Sequence, residues 1–248
     1  NALLDDPRAE LIYGAKTVSI VAPSMLSRHR KEHLDLMVKF LAPEWLEAGL
    51  GFSKKYRVPL QLAKSKTQVD SEIVIAILLW ESKLGAITGD YRTFNVFTSQ
   101  RYFIEQANNI ALAQAGESTR ISEAAQKRRV ETIRGRAHQN LVALIRQSKA
   151  KGIDALDVKG SWAGAIGFPQ FMPTSLALAA DGNGDDKIDL FDMDDAIMSI
   201  AHYLKSAGFA RDRKKAVWAY NHEDAYVQGV LAYADALKTQ TSTRDGGN

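Results

Sequence analysis

The sequence predicts a mainly α-helical globular protein of one large domain or two modest ones. Apolar residues spaced three and four apart recur along much of the 248-residue chain, which is the pattern of helices with one buried face. Strand patterns are scarce: Val18–Ala22 is the best extended candidate, and Pro23 ends it. A composition of 46% apolar and 25% charged residues is sufficient for a buried core and unlike that of a disordered chain.

Composition and charge exclude several classes of protein. The chain has no Cys, which rules out disulfides, a thiol nucleophile and Cys-based metal sites. A net charge of +3 gives no footprint for general nucleic-acid binding, so we expect no nucleic-acid partner. The longest apolar run, 73–80, is far short of the roughly 20 residues that cross a bilayer, so we expect no membrane span in this chain. The start lacks an initiator Met and looks trimmed, which is compatible with a removed export signal.

Two helices are predicted outside the segments with functional signals. Apolar residues follow the helical spacing over 34–41, and Pro43 limits that helix. A second, long helix is predicted within 117–150, with an apolar stripe on one face and many Arg residues on the other. The Arg-rich face is interpreted as a solvated surface, and the alternative is a patch that holds an anionic polymer.

One helix is predicted to be buried on every face and to end at a carboxylate. Asp70 can cap a helix that starts at Ser71, Gly85 can end it, and residues 73–80 are all apolar. Glu81 lies in the last turn, where apolar surroundings and the negative end of the helix dipole both disfavour its charged form. We therefore expect a raised pKa, which suits a general acid near neutral pH. The alternative is a Glu that emerges into solvent beside Lys83.

The segment 160–175 is predicted to be a loop that lines a pocket. Its three Gly and two Pro residues prevent one regular helix. Ser161 and Gln170 offer hydrogen bonds among aromatic and small residues, a mixture typical of a pocket wall. The alternative is a tight hairpin that packs Trp162, Phe168 and Phe171 into the core.

The segment 181–192 is close to an EF-hand-like calcium loop. Oxygen-bearing side chains fall at positions one, three, five, nine and twelve, and the residue at position seven offers its backbone carbonyl. Asp186 stands at position six where the pattern has Gly, and Asp195 competes with Asp192 as the last ligand. The predicted ligands are Asp181, Asn183, Asp185, Lys187, Asp189, Asp192 and Asp195. A structural calcium ion is favoured over a solvated acidic turn, because so many carboxylates repel one another without a cation.

Four segments in this order resemble the membrane-bound lytic murein transglycosylase B family, within the goose-type-lysozyme-like superfamily. Residues 69–77 followed by Glu81-Ser82-Lys83-Leu84-Gly85 resemble the catalytic helix of that family, and residues 160–175 resemble its substrate-groove signature. The calcium-type loop lies where the family can carry one. Residues 219–227 resemble its closing motif, and the resemblance runs from about Pro43 to about Leu237.

The resemblance implies a lysozyme-like (goose-type or soluble-lytic-transglycosylase-like) helical fold with a small β-hairpin near the substrate groove. It implies an enzyme that cuts the β-1,4 bond between N-acetylmuramic acid and N-acetylglucosamine in peptidoglycan, leaving 1,6-anhydro ends. Glu81 takes the catalytic position, first as acid and then as base, with no cofactor in the chemistry. The positions that match substrate contacts are Ser161, Gln170, Phe171, Met172, Tyr220 and Asn221.

The resemblance also implies where the enzyme acts and what it meets. We expect an exported enzyme of the periplasm or cell envelope that acts as a monomer on peptidoglycan glycan strands. The predicted organisation is an N-terminal extension over 1–42 packed on the core, a catalytic domain over 43–238 with the calcium-type loop inserted at 181–195, and a flexible tail over 239–248.

Two alternatives to this activity remain open at the sequence level. Asp90 follows Glu81 by nine positions, and a second carboxylate in the cleft could direct water and give a lysozyme-type hydrolase. The other interpretation of Asp90 is a turn residue within Thr88–Tyr91. A non-catalytic cell-wall or calcium-binding module is the third reading of the chain.

Overall fold

The computed structural model describes residues 3–10, 15–22, 25–114 and 122–245. These residues form ten α-helices, one 3₁₀ helix and two short strands. In chain order they are α1 Ala15–Val21, α2 Met25–Phe40, α3 Pro43–Lys55, α4 Arg57–Thr67, α5 Ser71–Ser82, β1 Tyr91–Arg92, α6 Thr93–Gln114, α7 Glu123–Ala150, β2 Lys159–Gly160, the 3₁₀ helix Pro173–Leu178, α8 Met193–Ser206, α9 Arg213–Tyr220 and α10 Asp224–Asp245.

The described residues divide into two compact units. The first unit draws on residues 1–28, 88–166 and 170–176, and the second on 29–87, 167–169 and 177–248. The predicted boundary at residue 42 therefore lies inside the second unit, between α2 and α3. The predicted tail begins within α10, which is helical to Asp245, and residues 246–248 lie outside the described part of the chain.

The core of the second unit is built around α5. Every residue from Ile73 to Leu79 is at most 1% exposed, as predicted for a helix that is apolar on all faces. Helices α3, α4, α8 and α10 pack against it and supply the surrounding apolar side chains. Burial of an aliphatic side chain stabilises by about 1.5 to 3 kcal/mol, so the apolar residues of this helix make a large contribution to the stability of the unit.

The core of the first unit lies where α1 packs against α6 and α7. The strand predicted at Val18–Ala22 is wrong, because residues up to Val21 belong to α1. Val21 is fully buried, and its carbonyl and that of Ile20 accept hydrogen bonds from Gln126 and Arg129 of α7. Tertiary partners thus satisfy the carbonyls at the end of a short helix whose β-branched residues favour a strand.

A two-stranded antiparallel sheet lies in the first unit, as the fold class predicts. It pairs Tyr91 with Gly160 and Arg92 with Lys159. The strands are separated in sequence by α6 and α7, so they are joined by two long helices instead of the tight turn of a hairpin. No helix among the described residues combines the length and apolar character that a membrane crossing requires.

Candidate active site

Glu81 lies in the last turn of α5, at the end of the buried core. Its side chain is partly exposed, whereas residues 73–79 before it are buried. Burial raises its pKa to about 7, although a hydrogen bond from Tyr226 acts in the opposite direction. The expectation of a raised pKa is confirmed. At neutral pH the group is present in both forms, so it can give a proton and later accept one.

Tyr226 is the hydrogen-bond partner that the sequence analysis missed. It lies in the first turns of α10, its side chain is 1% exposed, and its hydroxyl donates to Glu81 Oε1 at 2.8 Å. Burial and then the charge of Glu81 raise its pKa well above the ordinary value, so the phenol stays a donor. The apolar neighbours of Glu81 on α5 gave no hint of it, because the donor comes from a helix 145 residues later.

A turn of unusual backbone conformation follows Glu81. Lys83, Leu84 and Gly85 all have positive φ, at 50°, 58° and 94°. The buried Ser82 hydroxyl donates to the carbonyl of Leu78 and accepts the N–H of Gly85 at 3.0 Å, which ties the turn to the helix. The helix thus ends at Ser82, and Gly85 stands two residues past the cap residue Lys83. A Cβ at Gly85 would lie 2.8 Å from Met193 Cε, the flexible end of a side chain that can shift, so the positive φ is the main reason why the position favours Gly.

Tyr220 and Asn221 lie at the end of α9, in the same unit as Glu81. The Tyr220 hydroxyl donates to the carbonyl of Pro169 at 2.6 Å, and its ring meets the ring of Tyr203 edge to face at 4.9 Å. Burial and then the charge of Glu81 raise the Tyr220 pKa well above the ordinary value. Asn221 is the residue that ends α9 and is partly exposed.

The other four predicted contact residues lie in the first unit. Phe171 is 3% exposed and exchanges two backbone hydrogen bonds with Ile166, so its ring packs into the core. Gln170 adopts a left-handed conformation with φ of 51° and donates from Nε2 to the carbonyl of Thr88 at 3.3 Å. The Ser161 hydroxyl accepts the N–H of Ala165, which closes a short turn, and Met172 is partly exposed. Phe171 thus packs into the core as the hairpin interpretation predicts, whereas the pocket interpretation of the loop stays a prediction.

Asp90 stands in an exposed turn of the first unit. Its side chain is 90% exposed and its Oδ1 lies 3.0 Å from Lys159 Nζ. Gly89 beside it has φ of 85° and lies against the backbone of Gly160 and Ser161, which makes the turn itself tight. An exposed carboxylate that is paired with a cation is a poor base for directing water.

The calcium-type loop of the second unit is stabilised by its own backbone. Asp186, at the sixth position, adopts φ of 62° and makes the turn that the pattern assigns to Gly. Carboxylate oxygens of Asp181 accept the N–H groups of Gly184 and Asp186, and Asp185 accepts the N–H of Lys187. Among the described residues, no group of three or more His, Asp or Glu side chains is placed to hold a metal.

The two candidates for the last ligand have different structural roles. Asp192 caps α8, since its Oδ1 accepts the N–H groups of Asp194 and Asp195. Asp195 is 1% exposed, and its two oxygens accept the N–H groups of Gly182 and Asp189 at 2.7 Å each. Asp195 therefore connects the two halves of the loop. Carboxylate and amide oxygens of this kind fit calcium. In the structure these oxygens accept backbone N–H groups, so the side chains would have to rotate to bind one cation together.

Comparison with known proteins identifies the family. A family model described as the transglycosylase SLT domain matches residues 15–228. The chain belongs to this family. The transglycosylase domain is also 29% identical over 210 residues to the membrane-bound lytic murein transglycosylase B of Escherichia coli. That match covers 83% of this chain and 49% of the relative, so the chain spans about half the length of the curated relative.

Solved structures of lytic transglycosylases share the fold of the domain. The Escherichia coli lytic transglycosylase Slt35 in complex with calcium aligns with a TM-score of 0.66 at 19% identity, over 94% of this chain and 95% of Slt35. Pseudomonas aeruginosa SltB3 in complex with NAG-anhNAM-pentapeptide aligns with a TM-score of 0.64 at 19% identity, over 91% of this chain and 75% of SltB3. The predicted lysozyme-like helical fold is confirmed.

Proposed function

We propose that this domain is a peptidoglycan lytic transglycosylase that cleaves the MurNAc-β-1,4-GlcNAc bond and leaves 1,6-anhydro-MurNAc ends. The observation that carries the proposal is Glu81: a partly exposed carboxyl at the end of a buried helix, with a pKa of about 7 and a phenol donor at 2.8 Å. One such group is sufficient for a reaction that needs an acid and then a base.

The proposed reaction uses Glu81 twice. The protonated carboxyl first gives its proton to the glycosidic oxygen, so the bond to the N-acetylglucosamine leaving group breaks. The neighbouring N-acetyl group of the muramic sugar stabilises the positive charge that develops on the anomeric carbon. The Glu81 carboxylate then takes the proton of the muramic 6-hydroxyl as that oxygen bonds to the anomeric carbon, which closes the anhydro ring. Tyr226 stabilises the carboxylate between the two steps.

The proposed substrate contacts are the six residues that match the family signatures. Tyr220 and Asn221 belong to the unit that holds Glu81, and the charge of Glu81 acts on the Tyr220 phenol. The remaining positions are on the first unit at Ser161, Gln170, Phe171 and Met172. Phe171 is buried, so its proposed contribution is to fix the backbone of the loop beside Gln170.

The relatives support this chemistry over hydrolysis. The curated relative is a lytic murein transglycosylase, and the ligand of SltB3 contains an anhydro muramic unit, the product type of the proposed reaction. Asp90, the candidate for a second carboxylate, is solvent-exposed and ion-paired with Lys159. A lysozyme-type hydrolase is therefore not favoured.

Glycan cleavage by the wild-type chain and Glu81→Gln tests the proposal. We expect the wild type to release muropeptides whose mass is lower by one water than reducing-end products, because the anhydro ring replaces hydrolysis. Glu81→Gln is expected to lose at least a thousandfold in rate, since the amide can neither give nor take the proton. Glu72→Gln, in the first turn of the same helix, is the matched control and should retain the wild-type rate. Reducing-end products would favour the hydrolase, and binding without cleavage would favour a non-catalytic module.

We also propose a structural calcium ion in the loop 181–195, with no cofactor in the reaction itself. Support comes from the oxygen donors of the loop, from the left-handed turn at Asp186 and from the calcium complex of Slt35. The ligands would come from six of the seven predicted residues, with Asp195 as the buried last ligand, while Asp192 remains the cap of α8.

The proposed site of action is the cell envelope, where peptidoglycan lies. Its support is the curated relative, which is membrane-bound. We propose a monomer, because Glu81 and Tyr226 belong to one unit of a single chain. Sedimentation of the purified protein measures that state directly.

A further inference from the structure

A carboxylate and an imidazole flank the tyrosine that contacts Glu81. Glu223 precedes α10, and its Oε2 accepts the backbone N–H of Tyr226 at 2.7 Å. His33 of α2 lies 2.6 Å from the same oxygen through its Nδ1. Because a carboxylate only accepts hydrogen bonds, Nδ1–H is the donor. Both side chains are largely shielded, with 17% and 23% of their side-chain surface exposed.

The imidazole also contacts the tyrosine ring directly. The rings of His33 and Tyr226 meet edge to face, with centroids 5.6 Å apart and planes at 62°. Glu223 thus fixes the backbone of Tyr226, while His33 limits the rotation of its ring. The hydroxyl at the far end of that ring is the group that donates to Glu81 Oε1. Side chains of α2, α5 and α10 are connected in one continuous sequence of contacts.

We propose that His33 and Glu223 are positioning residues that hold the Tyr226 hydroxyl on Glu81 and thereby set the balance between the acid and base forms of the catalytic carboxyl. The inference rests on the proposed role of Glu81. A hydrogen bond to a charged group is directional and contributes only when donor and acceptor are aligned. A tyrosine free to tilt would stabilise the carboxylate less, and Glu81 would become a weaker acid.

The electrostatics of His33 and Glu223 agree with a role in positioning Tyr226, and not with a direct effect of their charges on Glu81. Burial would raise the pKa of Glu223, but hydrogen bonds from His33 and from the N–H groups of Tyr226 and Ala225 lower it below its ordinary value. Glu223 is therefore a carboxylate at neutral pH. The titratable groups whose charge acts on Tyr226, after burial, are Glu81, Tyr220 and Tyr203. The shift at Glu81 is due to burial and Tyr226, so Glu223 reaches it through the tyrosine and not through its charge.

The competing explanation is that Glu223 only caps α10. A cap contributes to helix stability, and its loss would lower the melting temperature without affecting the titration of Glu81. The two explanations therefore predict different kinetics and a different pH dependence for variants of this cluster, but a similar loss of stability.

His33→Ala and His33→Asn separate these explanations. His33→Ala removes the donor and the ring; we expect kcat to fall about tenfold with KM within twofold, and the alkaline limb of the pH profile to move up by about half a unit. His33→Asn places an amide nitrogen near the position of Nδ1, so it should recover part of the lost kcat. Glu32→Ala, an exposed neighbour on α2, is the matched control and should leave both quantities unchanged.

A double-mutant cycle shows whether His33 acts through Tyr226. Tyr226→Phe removes the hydroxyl, and in that background His33→Ala should cost nothing further in kcat. An equal loss in both backgrounds would overturn the proposal, as would a pH profile that stays in place. If His33→Ala does not melt cooperatively, His33→Asn and Glu223→Gln carry the same cycle.

Carbon-13 titration of the Glu carboxyls separates this inference from the proposed function. The Glu81 resonance is identified by its disappearance in Glu81→Gln. Its midpoint should rise in His33→Ala whether or not the wild type cleaves glycan. An unchanged midpoint defeats the positioning role, whereas a shifted midpoint in a protein without lytic products defeats only the proposed function.

Discussion

At the scale of single residues, the carboxyl of Glu81 combines its proposed role as acid and base with a cost in stability. Its pKa is about 7 in the folded protein against 4.5 for the free side chain, so folding disfavours the charged form. The stability that the protonated Glu81 carboxyl contributes is therefore fully present below pH 4.5 and is lost as pH rises through about 7. The difference corresponds to about 3 kcal/mol of unfolding free energy.

Glu81→Gln is thus expected to stabilise the protein as it abolishes the activity. The gain should be close to zero near pH 4 and approach about 3 kcal/mol at pH 8, because only the wild type must bury a charge. Urea unfolding of both proteins at the two pH values measures it. A Gln variant that is no more stable than the wild type at pH 8 would contradict the environment described for Glu81.

The residues of the site differ in how far sequence could predict them. Glu81 follows from the apolar run before it, since a helix buried on all faces must place its terminal carboxylate near the core. Tyr226, Glu223 and His33 could not be predicted in their roles, because their partners are brought together by the packing of α2, α5 and α10. Asp90 could not be assigned from sequence for another reason. Its spacing of nine positions from Glu81 fits either a residue in the cleft or a turn residue, and the structure places it in an exposed turn.

At the scale of elements, the contact between α5 and α10 positions Glu81 and its hydrogen-bond donor Tyr226. Gly229 of α10 lies against Trp80, the residue before Glu81, and a Cβ there would be 2.5 Å from Trp80 Cζ2. Gly135 of α7 offers a matched comparison, because a Cβ there would meet nothing within 4 Å. The packing around Gly229 thus leaves no room for a side chain, whereas the surroundings of Gly135 do.

Alanine at these two positions should act in opposite directions. Gly229→Ala is expected to destabilise by about 1 to 3 kcal/mol through overpacking and to reduce glycan cleavage by displacing Trp80. Gly135→Ala should stabilise by about 0.5 to 1 kcal/mol, since Ala is the better helix former. Chemical denaturation of both variants is the measurement, and equal effects would mean that α10 does not approach α5 as closely as described.

The elements themselves were predictable where the pattern is local. The apolar run defines α5, and the apolar stripe defines α7. Asp70 stands at the N-cap of α5 as predicted, but its side chain makes no cap hydrogen bond and pairs with Lys64. The prediction failed at α1, where Val18, Ile20 and Val21 favour a strand by propensity but are held in a helix by α6 and α7. The sheet was anticipated, but the pairing of β1 with β2 across two long helices is a long-range contact that no local pattern encodes.

At the scale of the whole molecule, a calcium ion bound in the loop 181–195 is expected to raise the free energy of unfolding. Calcium at about a hundred times its dissociation constant should add about 2.7 kcal/mol, or a melting temperature higher by roughly 5 to 10 °C, and chelator should reverse the gain. Asp185→Asn removes a predicted ligand and should raise the calcium requirement about tenfold. Asp186→Asn changes the same charge one residue later at a position that does not ligate, and Asn tolerates its left-handed backbone. An identical calcium response in the two variants would argue against the assigned ligands.

The buried helix α5 has a consequence for the unfolded chain. Its residues Ile73–Leu79 are uncharged, contain no Pro or Gly and include several β-branched side chains. That composition is harmless inside the core, but in an unfolded chain it is the signature of a segment that pairs with copies of itself into β-sheet aggregates. Heat unfolding of this protein is therefore expected to become irreversible at high concentration, with an apparent melting temperature that depends on the scan rate.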